Sequence, residues 1–280
     1  MNIVVLVGVA AVGICALWVA QTVALIYVGE RLALPLQYTT RSPVVRMTSQ
    51  VMIQAVWIII VVGTPIAVGI NPLDALQRAF PLPVPWRRIT IAFLIMSIPL
   101  CLGYALYIKA QWLRFEPRHD AATRRRKLFS RFLTPVPLAV LEEAVFRGTL
   151  LEQLLRSLPA TLFGSALAVI LSSATFAAVH FIKPARGKPV LQGLYSYFTA
   201  GCLFGIGYIA SGRSLWVPVT MHATAIFIIE VMRLYTLQQA PRWLAGFPEG
   251  PHSGIVGSVV VVGMAIALVR ADLSPQGVSN

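Results

Sequence analysis

The sequence predicts an all-α membrane protein with about eight transmembrane helices. Of its 280 residues, 57% are hydrophobic and only 12% are charged, whereas a soluble domain carries about 25% charged residues. So few charges could not cover the surface of a water-soluble globule of this size. Several apolar runs also reach the ~20 residues that a helix needs to cross a bilayer. These observations exclude disordered, collagen-like and disulfide-scaffold proteins.

Eight apolar runs are long enough to be considered as spanning helices. They cover residues 3–28, 50–70, 90–109, 134–151, 160–182, 192–210, 215–233 and 254–271. The first run has no basic segment before it and is longer than the apolar core of a signal peptide, so we interpret it as a helix. The whole chain, residues 1–280, is therefore predicted to be one membrane domain.

The segments between these runs are predicted to be loops. Residues 71–89 are rich in proline, and residues 234–253 and the polar tail after Asp272 are interpreted as a loop and a frayed end. Residues 110–133 form a basic cytoplasmic loop that contains the run Arg124-Arg125-Arg126-Lys127. We expect this loop to anchor the chain at the membrane surface, with an amphipathic segment on the leaflet as the alternative.

The distribution of Lys and Arg predicts the orientation, because these residues accumulate in cytoplasmic loops. With eight spans, both termini and the even-numbered loops share one side and carry only six arginines. The other Lys and Arg lie on the opposite side, except Arg147, which lies within a span. Both termini are therefore predicted to be outside. Topology and contact with anionic lipids explain the net charge of +13, and no nucleic-acid partner is predicted.

Ionisable side chains inside the predicted spans are the main functional signal, since each costs several kcal/mol in a bilayer. The fourth span contains Glu142, Glu143 and Arg147, the fifth ends near His180, and the seventh contains His222. Glu143 and Arg147 are four residues apart, a spacing that permits an architectural ion pair on one helix face. Glu142 lies ~100° around the helix. We therefore expect Glu142 to face the two histidines.

Two chemistries fit this set of side chains. Two imidazoles and a carboxylate suit Zn²⁺, so His180, His222 and Glu142 form a candidate metal site. The same groups could instead work without a metal, with Glu142 as a general base and the histidines positioning a water. The sequence does not distinguish the two. The helical HExxH zinc motif and the GxSxG serine motif are both absent from the sequence.

Three blocks in this order resemble the CPBP family of intramembrane proteases. They are the EExxxR pattern at Glu142–Arg147, the FxxxH pattern at Phe176–His180, and His222 after the segment Gly-Arg-Ser-Leu-Trp-Val-Pro. The family includes the type II, Rce1-like CAAX prenyl endopeptidases and bacterial bacteriocin-processing relatives. The resemblance covers residues 134–228, which we interpret as a family-like catalytic core.

The resemblance implies an eight-helix protease that cleaves membrane-associated peptides or proteins at the cytoplasmic side of a bacterial plasma membrane. It implies catalytic roles for Glu142, His180 and His222, and supporting roles for Glu143, Arg147 and Phe176. In this family Glu142 corresponds to the glutamate that activates water. A zinc-bound water and a metal-free, glutamate-activated water are both compatible with the resemblance.

One position departs from the family pattern. The last family motif usually has Asn or Asp four residues after its histidine, and this chain has Ile226 there. An amide at that position would share a helix face with His222 and could donate a hydrogen bond to an oxyanion, whereas isoleucine cannot. A non-proteolytic membrane scaffold or regulator is therefore an alternative function. A proton-coupled transporter is a further one, because intramembrane Glu and His can form proton relays.

Overall fold

The computed structural model describes residues 43–67, 69–117, 119–180, 190–246, 254–271 and 273, together with isolated positions before residue 30. The predicted first span and the polar tail lie outside the described residues, apart from these isolated positions. Most of the described residues are helical. The all-α fold class is thereby confirmed.

Helices occupy the predicted apolar runs from residue 50 onward, and further helices lie in segments that were predicted to be loops. In chain order they are α1 Pro43–Ala67, α2 Pro72–Ala79, α3 Trp86–Lys109, α4 Ala121–Leu133, α5 Pro135–Glu143, α6 Glu152–Ser157, α7 Leu162–Val179, α8 Val190–Ala210, α9 Trp216–Tyr235, α10 Arg242–Ala245 and α11 Ile255–Arg270. A π-helical segment, Ala144–Leu151, joins α5 directly to α6. The backbone is therefore helical without a break from Pro135 to Ser157.

Three helices in the described part of the chain are individually long and apolar enough to cross a bilayer, namely α3, α7 and α9. The second half of α1 and the whole of α2 form a pair bent by 111° that would make a fourth span. Helix α11 is apolar but shorter. These helices fit an integral membrane protein, while the number of about eight spans stays a prediction.

Helix α2 lies within the segment predicted to be a proline-rich loop, so that prediction is wrong for residues 72–79. The helix begins because the Asn71 side chain accepts a hydrogen bond from the Leu73 N–H, and Pro72 occupies the first turn. A capping side chain and a proline at the first position both favour a helix start. A proline that suggested a loop is therefore the start of a helix.

Helix α4 lies within the segment predicted to be a basic loop. Its start is fixed by the Asp120 carboxylate, which accepts a hydrogen bond from the Thr123 N–H at 2.9 Å. This backbone hydrogen bond is the main reason that the pKa of Asp120 lies below its ordinary value. The basic run is thus part of a capped helix.

A small antiparallel ladder was not predicted from the sequence. Strand β1, Leu113–Phe115, pairs with strand β2, Thr236–Gln238, which follows α9 directly. The rings of Phe115 and Tyr235 stack beside the ladder at 5.7 Å. Three-residue strands have almost no periodicity, which explains why the alternation of polar and apolar residues did not reveal them.

Helices α7 and α8 approach each other closely at Gly201. A Cβ atom at Gly201 would lie 2.9 Å from the Cβ atom of Ser173, on α7. Small residues at such a crossing let two helix backbones come together in a membrane protein. The crossing also brings the Gly201 carbonyl close to the π-helical segment.

We expect Gly201→Ala to lower the free energy of unfolding by about 1–3 kcal/mol, as overpacked positions do. The neighbouring Ser173 atoms belong to a buried residue close to its backbone, so they cannot move aside easily. Gly263→Ala in α11 is the matched control, because nothing lies within 4 Å of its added Cβ. Denaturant unfolding of the purified variants measures both, and equal effects would contradict the close approach at Gly201.

Candidate active site

The two glutamates of the EExxxR pattern end helix α5 and are buried. Glu142 is 2% exposed and Glu143 is fully buried. The π-helical segment starts directly after them, and such segments occur frequently at functional sites. The Ser172 hydroxyl of α7 donates to the Phe146 carbonyl within this segment at 2.9 Å. A neighbouring helix therefore helps to hold the local geometry that follows the two carboxylates.

Arg147 holds Glu143 in place. Its Nη1 donates to Glu143 Oε1 at 3.1 Å, and its Nη2 donates to the Gly201 carbonyl at 2.9 Å. The guanidinium carbon lies 4.8 Å from the ring centre of Phe176 and 5.4 Å from that of Phe204. A buried carboxylate without a cation beside it would be an uncompensated buried charge. Arg147 therefore compensates and orients the Glu143 carboxylate.

His222 is oriented by the same carboxylate. Its Nδ1–H donates to Glu143 Oε1 at 2.7 Å, and its ring stacks on Phe204 with the ring centres 4.8 Å apart. The opposite ring nitrogen, Nε2, lies 3.8 Å from Glu142 Oε2. The chain of contacts from Arg147 through Glu143 to His222 thus turns one imidazole nitrogen toward Glu142.

His180 is oriented by a different acceptor. It follows the last residue of α7, and its Nδ1 lies 2.7 Å from the Phe176 carbonyl oxygen. A carbonyl only accepts hydrogen bonds, so Nδ1 carries the proton and Nε2 of the neutral ring carries a lone pair. The Tyr197 ring stacks on this imidazole at 4.0 Å. His180 Nε2 then lies 3.9 Å from Glu142 Oε2.

The structure therefore brings together the six residues that the sequence singled out. Both imidazoles present Nε2 to one carboxylate oxygen of Glu142, and Phe176 contacts both imidazole rings, with the ring centres 4.4 Å from His180 and 5.9 Å from His222. Their catalytic roles stay predictions. Tyr197 and Phe204 were not predicted as site residues. The sequence signal for them is weak, since an aromatic residue in an apolar helix is typical of ordinary packing.

The donor set suits zinc in its chemistry, and the distances between its atoms are slightly longer than those between zinc ligands. In both histidines, Nδ1, the ring nitrogen that faces away from Glu142, is held by a hydrogen-bond acceptor, as in many zinc sites. Tetrahedral zinc with bonds of about 2.1 Å needs neighbouring ligand atoms about 3.4 Å apart. The two separations from Glu142 Oε2 to the imidazoles are 3.8 and 3.9 Å. Among the described residues, no group of three His, Cys, Asp or Glu side chains is arranged to hold a metal ion.

Ile226 supplies no polar atom to the site. It lies one helical turn after His222 on α9 and is partly buried. The hydroxyl of Thr220, on the preceding turn, donates to the Trp216 carbonyl at 2.7 Å and is thus engaged with its own helix. Position 226 therefore offers only an aliphatic side chain.

Residues 125–228 match the model of the family described as Type II CAAX prenyl endopeptidase Rce1-like. This match confirms the resemblance for that segment, which contains all six residues of the site. The family implies a protease. No curated protein and no solved structure matches the chain.

Proposed function

We propose that this protein is an intramembrane endopeptidase in which Glu142 activates a water molecule. The observation that carries the proposal is the convergence of two oriented imidazoles on one oxygen of a buried carboxylate. The separations of 3.8 and 3.9 Å are too long for direct hydrogen bonds. A water molecule could contact Glu142 and either imidazole at about 2.8 Å.

The first chemical step is attack of this water on the carbonyl carbon of the scissile peptide bond. Glu142 takes one proton from the water as the new C–O bond forms, and the carbonyl oxygen becomes an oxyanion. A neutral imidazole accepts a hydrogen bond from the second water proton through Nε2. The imidazole that accepts this hydrogen bond, from either His180 or His222, fixes the attacking oxygen relative to Glu142.

The second step breaks the C–N bond. Glu142 returns its proton to the leaving nitrogen, so the products are a carboxylic acid and an amine, and the carboxylate is regenerated. Glu143 and Arg147 touch no reacting atom in this scheme. They act as positioning residues, because they hold the His222 ring through the 2.7 Å contact to Nδ1. Phe176 positions His180 in the same way through its carbonyl.

The substrate that this scheme fits is a membrane-associated peptide or protein. The family description names prenylated CAAX ends, so a prenylated C-terminal peptide is the first substrate to test. We further propose that the site faces the cytoplasm of a bacterial plasma membrane, with both termini outside. The support for this orientation is the accumulation of Lys and Arg in the odd-numbered loops.

Helix α4 supports a contact with anionic lipids on that side. Arg131 ties α4 to α9 through an ion pair with Glu230 at 3.0 Å. Arg125, Phe129 and Phe132 follow the i, i+4, i+7 spacing of one helix face, and both phenylalanines are 67% exposed. A basic face with exposed aromatic rings is typical of a helix that lies on an anionic leaflet.

The direct test uses purified protein in liposomes and a fluorogenic C-terminal peptide with and without a prenyl group. We expect cleavage by the natural protein, and loss of cleavage in His180→Ala and in His222→Ala. Each reaction is repeated with a zinc chelator, and a metal-free mechanism predicts that activity survives. If the chelator abolishes cleavage and added zinc restores it, the enzyme uses a metal-bound water instead. No cleavage of any membrane peptide would count against a protease.

A non-proteolytic scaffold is the second candidate, and Ile226 is the observation that favours it. If the missing amide limits catalysis, Ile226→Asn should raise the hydrolysis rate by about 10²-fold, the effect of one oxyanion donor. Ile226→Val is the control, because it changes the volume without adding a donor. An unchanged rate in Ile226→Asn would mean that another group donates to the oxyanion. Absence of hydrolysis in both variants would favour the scaffold.

A further inference from the structure

A cavity of about 380 Å³ lies beside the π-helical segment. It is bounded by α1, α2, the π-helical segment, α6 and the turn between α8 and α9. None of the six active-site residues lines it. The polar lining residues that matter here are Thr64, Arg78, Glu152, Gln153, Arg156 and Arg213.

Three guanidinium groups surround this cavity, and one carboxylate opposes them. Arg156 Nε donates to Glu152 Oε1 at 2.8 Å, and Arg213 Nη1 donates to the same oxygen at 3.2 Å. The other oxygen, Oε2, accepts from the Tyr208 hydroxyl at 3.1 Å. Arg78 donates to the Asp74 carbonyl, which is neutral. The lining therefore carries more positive than negative charge.

The positive and negative side chains lie at different depths in the cavity. The Arg156 and Arg213 side chains are 52% and 51% exposed, whereas the Glu152 side chain is 11% exposed. The cations thus lie at the mouth of the cavity and the carboxylate lies further inside. A guanidinium has five donors, so each arginine can bind an anion while it keeps its contact with Glu152.

Two buried polar atoms in the lining have no hydrogen-bond partner within the described part of the chain. They are Thr64 Oγ1, in a residue that is 2% exposed, and Gln153 Oε1. A buried polar group without a partner is unusual and calls for an explanation. Neither atom is accessible to solvent, so a ligand in the cavity would contact the arginines rather than these two atoms.

Large apolar side chains are exposed close to these arginines along the chain. Leu73 lies on the same short helix as Arg78, Trp86 starts α3, and Phe163 lies at the start of α7; they are 65%, 70% and 77% exposed. Exposed aromatic rings together with arginines are typical of the level of the lipid headgroups. The mouth of the cavity is therefore placed where phosphate groups are concentrated.

We propose that this cavity binds a phosphate anion, carried by the headgroup of an anionic phospholipid. Bidentate guanidinium–phosphate contacts are strong and geometrically specific, and three arginines at one opening provide them. This binding site is separate from the proposed hydrolytic site and does not depend on peptide hydrolysis.

The test measures the affinity of the purified full chain in detergent for short-chain phosphatidylglycerol and, separately, for inorganic phosphate. Arg78→Gln should weaken binding about tenfold, the usual effect of losing one hydrogen bond to a charged group. This variant leaves the Glu152 network intact and should therefore fold. Arg87→Gln is the matched control, since Arg87 is exposed and does not line the cavity.

Glu152→Gln gives a second, opposite prediction. Removal of the only carboxylate among the described lining residues frees both guanidiniums, so phosphate affinity should rise several-fold. A purely structural role of Glu152 would produce a fall in stability without tighter binding. The two variants together therefore separate anion binding from general damage to the fold.

The two probes distinguish the sources of the phosphate. Binding of phosphatidylglycerol with this variant pattern, and weaker binding of inorganic phosphate, would establish the headgroup site. Equal binding of both probes would establish a site for free phosphate and overturn the lipid assignment. No binding by the natural protein, or equal effects of Arg78→Gln and Arg87→Gln, would overturn the proposal.

Discussion

Replacing Glu142 by Gln should reduce peptide hydrolysis by about 10²–10⁴-fold, the usual contribution of a general base. The amide keeps the size of the side chain but cannot accept the proton of the attacking water. The Glu142 carboxylate lies 3.8 and 3.9 Å from the two imidazoles, and an amide has nearly the same shape, so we expect little change in folding. Steady-state kinetics of the purified variant in liposomes measure the loss.

Glu116→Gln is the control for this substitution. Glu116 is exposed beside strand β1, and its replacement makes the same chemical change away from the site. Normal hydrolysis by Glu116→Gln and normal unfolding of Glu142→Gln would localise the effect to the chemistry. A Glu142→Gln protein that hydrolyses peptides at the natural rate would remove Glu142 from the mechanism.

Replacing Arg147 by Met should lower the free energy of unfolding by about 3–5 kcal/mol, the cost of removing one partner from a buried ion pair. The substitution leaves the fully buried Glu143 carboxylate without its cation and the Gly201 carbonyl without its donor. It also removes the guanidinium that lies over the rings of Phe176 and Phe204. Denaturant unfolding of the purified variant measures the change.

Two further variants decide why Arg147 matters. Arg270→Gln removes an exposed arginine at the end of α11 and should change stability little. The double variant Glu143→Gln with Arg147→Met removes both buried charges and should recover most of the lost stability. Hydrolysis should stay low in this double variant, because an amide orients His222 less firmly than a carboxylate does. Full recovery of both properties would contradict the positioning role.

The pairing of Glu143 with Arg147 could be predicted from their spacing, because residues four apart lie on one face of a helix. In the same way, the spacing predicted that Glu142 lies on a different side of the helix from that pair. The convergence of His180 and His222 on Glu142 could not be calculated from helix rise alone. It depends on how three helices cross, and the resemblance to a known family was the evidence for it.

Other features were missed for physical reasons. The π-helical segment leaves no mark in the apolar pattern, since the chain stays helical from Pro135 to Ser157. The start of α2 was not predicted because a proline such as Pro72 is common both in loops and at the first position of a helix. The network around Glu152 was also missed. Its partners, Tyr208 and Arg213, lie more than 50 residues away in the sequence.

The most direct test compares peptide termini in the membrane proteome of cells that carry the natural protein, the Glu142→Gln protein or neither. The account predicts new termini only in cells with the natural protein, and these termini would identify its substrates. The two proteins must be present at equal levels in the membrane. Identical termini in all three kinds of cell would contradict a protease that depends on Glu142.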